Sequence, residues 1–183
     1  GLTPEMKQRN IHLETFRNPD TFWVGFNMED PVLGKNKPLR EAISYSINRK
    51  KYIELFTNNR GEIAYGFIPP LMKSYNPEIK KFGRSYDPEK AKQLLKEAGY
   101  AEGFKIELAA PTGVYAQFEQ VCEAIQGYLS EVGIEVKLTL MESGKYWDLE
   151  AKKELPPMFG DSWSCREGEP LERLEGTLGG FKQ

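Results

Sequence analysis

Apolar side chains recur at two different spacings along the chain, and these spacings predict both strands and helices. They occupy every second position from residue 104 to 110 and again from 134 to 140, which is typical of half-buried strands. Between these runs, residues 114–132 carry apolar side chains at helical spacing and are followed by Gly133. The order predicts a βαβ unit, whose two strands should lie parallel in one sheet.

Three further helices are predicted upstream of this unit, each from a recognisable start signal. Pro38 suits the first turn of a helix whose apolar stripe begins at Leu39. Asn48 can cap a second short helix that follows directly. Asp87 can cap a third helix, which Gly99 would end in the left-handed conformation.

The segments around these helices predict a hairpin and a long loop. Residues 11–16 and 21–27 are both strand-like and flank Arg17-Asn-Pro-Asp20, a turn signal, so they predict a β-hairpin. Trp23 and Phe26 fall on opposite faces of its second strand, where we expect both rings to be buried. Residues 61–82 are rich in Pro and Gly and predict an irregular surface segment, which in compact domains is often functional.

The C-terminal part predicts two helices and one strand. Ser143 can cap a short helix that extends to Lys152, and another helix is expected to begin near Pro170. A strand containing glycine should end near Trp163. The fold class is therefore α/β, a mixed sheet flanked by helices, and 183 residues suffice for a single domain spanning residues 1–183.

Composition excludes several classes of function. The net charge is −2, from 25 basic and 27 acidic residues, which gives no electrostatic footprint for nucleic acid. No apolar run approaches the roughly 20 residues that span a bilayer, and the N-terminus lacks the apolar core of a signal peptide. We therefore expect no nucleic-acid partner and no transmembrane segment.

Cysteine and histidine are too scarce to predict a metal site. Cys122 lies on the apolar stripe of residues 114–132 and is expected to be a buried, inert thiol, although a bridge to Cys165 stays open. His12, the single histidine, is expected at the surface. A zinc site or a histidine-centred triad would need partners that the sequence lacks, so we expect no cofactor.

Two of the helical segments resemble a known family in their amino-acid sequence. The first is Pro-Leu-Arg-Glu-Ala-Ile-Ser-Tyr-Ser-Ile-Asn-Arg at 38–49, and the second is Tyr-Asp-Pro-Glu-Lys-Ala-Lys-Gln-Leu-Leu-Lys-Glu-Ala-Gly-Tyr at 86–100. In this order they resemble the family 5 extracellular solute-binding proteins, the dipeptide-, oligopeptide- and nickel-binding components of ABC importers. The resemblance extends from about Ile11 to Leu178.

This resemblance implies a periplasmic-binding-protein-like fold and a binding function in which no reaction is catalysed. Members of the family are longer and have two lobes, so the chain is expected to be the second lobe, with the first lobe absent. The complete protein would capture a small solute (peptide-like, sugar-containing or anionic) and deliver it to permease subunits. The implied location is periplasmic or extracellular, and a lipid anchor on the complete protein is left open.

The resemblance also implies a ligand-binding segment that starts at Trp163. Peptide binders of the family place an aspartate three residues after this tryptophan to pair with the peptide amino terminus, whereas this chain has Arg166. A guanidinium repels an ammonium group and suits a carboxylate or phosphate. We therefore expect Trp163, Arg166 and the neighbouring Ser162 and Ser164 to contact the ligand, although Trp163 packed in the core with Arg166 solvated is the alternative.

Residues at the end of the first βαβ strand are secondary candidates for ligand binding. In open α/β sheets, ligands gather at the carboxyl ends of the strands, which favours Thr112, Gly113 and Tyr115. Tyr115 could equally pack against the following helix.

Two functions from other classes compete with solute capture. The chain could be the ligand-sensing domain of a transcription regulator, because some regulators carry similar domains. It could also be a stand-alone α/β enzyme using Ser162 or Cys165, but no histidine lies nearby in the sequence to activate either group, so we expect no catalytic residue.

Overall fold

Strands and helices alternate from residue 104 to residue 163, as the hydrophobic pattern predicts. The computed structural model describes residues 3–9, 11–12, 14, 19–57, 59–163 and Leu174. The strands in this part of the chain are β1 (Thr21–Phe26), β2 (Phe104–Thr112), β3 (Ile134–Glu142) and β4 (Met158–Trp163). The helices are α1 (Pro4–Gln8), α2 (Lys37–Ser46), α3 (Arg49–Thr57), α4 (Pro88–Glu97), α5 (Phe118–Ser130) and α6 (Ser143–Ala151), with a 3-10 helix at Pro77–Phe82.

The predicted helix caps at Asn48 and Asp87 are confirmed. The Asn48 side chain accepts a hydrogen bond from the Lys51 N–H at 2.9 Å, and the Asp87 side chain accepts one from the Lys90 N–H at 2.9 Å. Each bond satisfies a backbone donor that a helix leaves unpaired in its first turn. After α4, Gly99 has a φ of +88°, the left-handed conformation that favours glycine.

Within the described residues, the sheet is mixed and has the order β1-β4-β2-β3. β2 and β3 are parallel, with Phe104 opposite Ile134 and Thr112 opposite Glu142, which confirms the parallel strands of the βαβ unit. β4 is parallel to β2 and antiparallel to β1. The mixed sheet predicted from the sequence is thus observed.

Helices cover both faces of this sheet. On one face, α5 packs on β2 and β3 and α2 packs on α4, and the apolar stripes of these three helices form the main core together with Ile106, Leu108, Ile134 and Met158. Cys122 belongs to this core as a fully buried free thiol. On the other face, a smaller cluster joins Tyr146 of α6 to Ala109 and Leu155. The alternation of side chains along β2 explains why both faces are apolar.

Backbone conformation shortens the predicted long helix. The pattern predicts a helix from Val114, but α5 begins at Phe118. Gly113 and Gln117 both have positive φ values, +71° and +61°, so residues 114–117 cannot continue a right-handed helix. Side-chain periodicity alone does not reveal this interruption.

Glutamate, not serine, caps α6, which corrects the prediction at Ser143. The Glu142 carboxylate accepts hydrogen bonds from the Gly144 N–H at 2.9 Å and the Lys145 N–H at 3.1 Å, so the cap lies one residue earlier. These bonds lower the pKa of Glu142, because they stabilise its charged form.

The predicted N-terminal hairpin is not observed in the described part of the chain. Ile11, His12 and Glu14 are not in a strand, and the other residues of that run are not described. β1 instead pairs with β4, from the other end of the chain, which supplies the antiparallel partner that the hairpin would have provided. His12 is exposed, as expected.

Two other predictions concern the segment 61–82 and the C-terminal helix. Residues 61–82 are irregular as far as the 3-10 helix, which begins after Asn76 because its side chain caps the Glu78 N–H at 3.0 Å. The helix expected near Pro170 lies outside the described residues, apart from Leu174, which is helical. None of the helices in the described residues is long and apolar enough to cross a membrane.

Candidate functional site

The carboxyl ends of three strands meet at one edge of the sheet. Thr112 at the end of β2 lies opposite Glu142 at the end of β3, and β4 runs parallel to both. β1 is antiparallel, so it begins at this edge, where Thr21 lies opposite Trp163. The chain thus enters the sheet at Thr21 and leaves it at the adjacent Trp163. Both positions lie on the edge where ligands gather in open α/β sheets.

The β2 end of this edge is held by internal hydrogen bonds. The Thr112 hydroxyl donates to the Met141 carbonyl at 3.3 Å, and the Gly113 N–H donates to the Glu119 carboxylate at 3.1 Å. Gly113 has open space where a Cβ would lie, so its positive φ, not crowding, favours glycine. Thr112 and Gly113 lie at the edge as expected, and their contact with a ligand stays a prediction.

Tyr115 links this edge to a buried carboxylate. Its hydroxyl donates to the Asp161 Oδ1 at 2.6 Å, and its ring packs edge-on against Phe22 and Phe118 at centroid distances of 5.6 and 5.5 Å. Burial, and then the hydrogen bond to Asp161, raise the pKa of Tyr115 well above its usual range. The phenol therefore stays protonated and donates, while packing against the first residue of the following helix.

Ser162 and Trp163 lie at the end of β4. The Ser162 N–H donates to Asp161 Oδ1 at 2.7 Å, and Ser162 lies opposite Phe22 in the sheet. Trp163 is half-buried and lines a cavity at the edge. Ser164, Cys165 and Arg166 lie outside the described residues, so their contact with a ligand stays a prediction for Ser164 and Arg166 and the bridge from Cys165 stays open.

Asp161 is a polar residue of this edge that was not among the ligand-binding residues predicted from the sequence. It is 5 % exposed, and besides Tyr115 and Ser162 it accepts a hydrogen bond from the Trp147 indole N–H at 3.4 Å. Aspartate is rare inside strands, and a buried carboxylate needs several donors. The available signal was this acid within a β-prone run, but its donors lie up to 46 residues away in sequence.

A second acid, Glu150 of α6, is influenced by Asp161. Burial and then the negative charge of Asp161 raise the pKa of Glu150 to about 7. Next to it in the fold, the Tyr146 hydroxyl donates to the Gly160 carbonyl at 2.9 Å, which fixes α6 against β4. The edge thus combines one buried carboxylate held by donors with a second one that can be protonated near neutral pH.

A cavity of about 250 Å³ opens beside Trp163 and is named here the Arg49 cavity. It lies between β1, the start of α3 and the irregular segment. Half of its lining residues are aromatic, and the lining is formed by Thr21, Phe22, Trp23, Val24, Arg49, Ala64, Tyr65, Gly66, Phe67 and Trp163. The residues that the structure describes contain no group of His, Cys, Asp and Glu that could hold a metal ion.

The chain has relatives among known proteins. The chain is 34 % identical over 147 residues to the dipeptide-binding protein of Escherichia coli, an alignment that covers 77 % of this chain and 26 % of that protein. It is 32 % identical over 161 residues to heme-binding protein A of Haemophilus influenzae, covering 86 % of this chain and 28 % of the relative.

Solved structures show the same fold. The periplasmic binding protein DppA of Helicobacter pylori, in complex with the peptide STSA, superposes with a TM-score of 0.75 at 29 % identity, over 88 % of this chain and 30 % of that one. HbpA2 of Haemophilus parasuis gives a TM-score of 0.78 at 26 % identity, over 87 % of this chain and 31 % of its own. The chain therefore spans less than a third of the length of these proteins.

The family model gives the widest match. The model described as bacterial extracellular solute-binding proteins, family 5 middle, matches residues 2–183. That span includes both helical phrases that resemble the family as well as the edge where Thr112, Tyr115 and Trp163 meet. The chain belongs to the family 5 bacterial extracellular solute-binding proteins.

Proposed function

We propose that the chain is the second lobe of a two-lobed solute-binding protein, and that the carboxyl edge of its sheet forms one wall of the ligand cleft. The observation that carries the proposal is the pairing of Thr21 with Trp163, next to the end of β2. A first lobe that is connected to the chain on the far sides of Thr21 and Trp163 would face this edge. The gap between the lobes would then contain the edge residues.

Family membership supports binding over the competing functions. The relatives are named as dipeptide-, heme- and glutathione-binding proteins, not as enzymes or regulators. Binding of this kind needs no reacting group. Ligand contacts from both lobes form only when the lobes close, so the ligand shifts the population towards the closed state.

The location and partner follow the relatives. One related structure is described as an ABC transporter-associated periplasmic binding protein. We place the complete protein in the periplasm or outside the cell, where its closed form would dock on the permease subunits of an ABC importer. A lipid anchor on the complete protein belongs to the same proposal.

Seven residues would form this lobe's part of the cleft. Trp163 offers a ring for stacking, and Arg166 would select an anionic group of the ligand. Hydroxyl and backbone groups nearby would supply further hydrogen bonds, namely those of Ser162, Ser164, Thr112, Gly113 and Tyr115. A related structure that holds agropinic acid, at 26 % identity and a TM-score of 0.72, is consistent with acidic ligands in the family.

Titration calorimetry on two proteins tests the proposal. The complete gene product should bind the solute that stabilises it most in a thermal-shift screen, whereas the 183-residue chain should bind it at least ~100-fold more weakly, because half of the contacts are missing. Tight one-site binding by the chain alone would contradict the shared cleft. In the complete protein, Arg166→Asp should exchange a preference for anionic ligands for cationic ones, and an unchanged preference would remove Arg166 from the site.

A further inference from the structure

Arg49 is a half-buried cation that lines the Arg49 cavity, and none of the described residues gives it a carboxylate partner. Its Nη1 donates to the carbonyls of Ser44 at 2.9 Å and Ile47 at 3.4 Å, and its Nη2 donates to the Ser44 hydroxyl at 3.0 Å. Among the described residues, none of the acidic side chains lies within 4 Å of this guanidinium. The charge of Arg49 is thus hydrogen-bonded but not neutralised.

Part of the donor capacity of Arg49 remains unused. A guanidinium carries five N–H donors in a planar fork, and the contacts with Ser44 and Ile47 engage only its Nη atoms. In the described part of the chain, the Nε–H and one Nη2–H have no acceptor. These two hydrogens form the side of the fork that binds a carboxylate through both oxygens.

The surroundings add to the uncompensated positive charge. Burial lowers the pKa of Arg49, and the nearby positive charge of Arg84 lowers it further. Arg84 has its own partner, Glu41, at 2.7 Å. An anion bound at Arg49 would therefore meet a guanidinium that no described carboxylate neutralises.

Trp23 provides a second, independent observation at the same cavity. Its indole N–H is buried and has no hydrogen-bond acceptor among the residues that the structure describes. Buried donors are rarely left unpaired, so such a donor commonly marks a place where a ligand or water completes the bonding. Arg49 and Trp23 are thus both residues that line this cavity, and its described lining contains no acidic residue.

We propose that the Arg49 cavity binds the carboxylate of a ligand that carries a planar ring, with Arg49 holding the carboxylate and the aromatic lining holding the ring. The proposal rests on the proposed function, since Trp163 lines both this cavity and the cleft edge. It adds a ligand-binding residue in the described part of the chain, separate from Arg166. The bonds from Arg49 to Ser44 would hold the guanidinium in place for this task.

The test is an NMR titration of the labelled 183-residue chain with benzoate and with benzamide, its neutral counterpart. Benzoate should shift the indole signals of Trp23 and Trp163 and the Nε signal of Arg49, with weak but saturable binding. Benzamide should bind at least ~10-fold more weakly, because it lacks the charge and the second oxygen acceptor. Arg49→Gln should abolish the benzoate shifts, and Arg49→Lys should weaken them because lysine lacks the fork.

Arg40 offers a matched control. It is also half-buried, and its Nη1 also donates to backbone carbonyls, those of Leu33 and Gly34, but it does not line the cavity. Arg40→Gln should therefore bind benzoate like the unaltered chain. Should Arg49→Gln fail to fold, the comparison of benzoate with benzamide and the Arg49→Lys titration decide the matter.

Three results would overturn the assignment. They are equal shifts with benzoate and benzamide, benzoate shifts at signals away from the cavity, and unchanged benzoate binding by folded Arg49→Gln. None of them would affect the two-lobe proposal, which rests on calorimetry of the complete gene product. Conversely, a complete protein that binds no solute would refute that proposal even if benzoate binds at Arg49.

Discussion

The two ends of the sheet differ in what their residues are required to do. At the amino end, where β2 and β3 begin, Lys105 and Glu135 form an exposed ion pair at 2.9 Å, and Gly103 approaches the backbone of Gly133. At the carboxyl end, Asp161 is buried among three donors. The amino end thus depends on a close approach of two backbone segments, whereas the carboxyl end contains buried polar groups. Such groups cost stability and are expected where a protein binds a ligand.

The largest effect is expected at the amino end, from Gly103→Ala. A Cβ at Gly103 would lie 2.0 Å from the Gly133 carbonyl oxygen, at a φ of +82°. We expect a loss of about 3 kcal/mol or more in the free energy of unfolding, because the backbone must shift. Urea denaturation followed by circular dichroism measures it.

Gly99→Ala is the matched control for this change. Gly99 has a similar φ, +88°, but nothing lies within 4 Å of its Cβ position. Its replacement should cost only about 1 kcal/mol. Equal losses for the two variants would show that the close approach at Gly103 does not matter.

At the carboxyl end, Asp161→Ala should have the next largest effect. It removes the acceptor for the Tyr115 hydroxyl, the Trp147 indole and the Ser162 N–H. Buried donors left unpaired should lower the free energy of unfolding by about 2 to 4 kcal/mol in the same urea assay.

Asp161→Asn and Asp148→Ala bracket this result. Asparagine keeps one acceptor oxygen and should cost less than alanine. Asp148 is an exposed acid of α6, and its removal should change stability by less than about 0.5 kcal/mol. A loss from Asp161→Ala no larger than that from Asp148→Ala would show that the buried hydrogen bonds contribute nothing.

The smallest effect, a gain in stability, is expected from Glu150→Gln. The folded pKa of Glu150 is about 7, above the ordinary 4.5, so folding favours its protonated form. Its contribution to stability is intact below pH 4.5 and is lost as the pH rises through about 7. At pH 8 the variant should gain about 1 kcal/mol, a figure reduced for a half-buried site.

The pH dependence distinguishes this gain from a surface effect. Glu150→Gln should be more stable than the unaltered chain at pH 8, and the gain should vanish at pH 4.5, where the unaltered glutamate is protonated in the folded protein. Glu135→Gln, at the amino end, should change stability by less than about 0.5 kcal/mol at pH 8. A gain for Glu150→Gln that does not depend on pH would refute the charge explanation.

Local signals in the sequence predicted local structure well. The caps at Asn48 and Asp87 and the glycine at position 99 set helix ends correctly, because each acts through bonds within a few residues. The parallel pairing of β2 and β3 was predicted from the strand-helix-strand order, because such a crossover places its two strands parallel in one sheet. The start of α5 was missed, because Gln117 adopts a left-handed conformation that its residue type does not announce.

Contacts between distant parts of the chain were not predictable in the same way. The pairing of β1 with β4 joins residues more than a hundred positions apart, and Asp161 acquires its donors from α6 and from the loop before α5. Arg49 belongs to a phrase that resembles the family, yet only the fold brings it beside Trp23 and Trp163. The candidate site depends on such contacts, so its chemistry could be predicted from the sequence less well than the fold.

Hydrogen–deuterium exchange of the complete gene product, with and without the solute that stabilises it most, tests the central claim most directly. We predict that the solute protects residues 63–67, 112–115 and 160–163 at the carboxyl end, and leaves residues 103–105 and 133–136 at the amino end unchanged. Protection confined to the amino end, or none at the carboxyl end, would contradict the assignment of this edge to the ligand cleft.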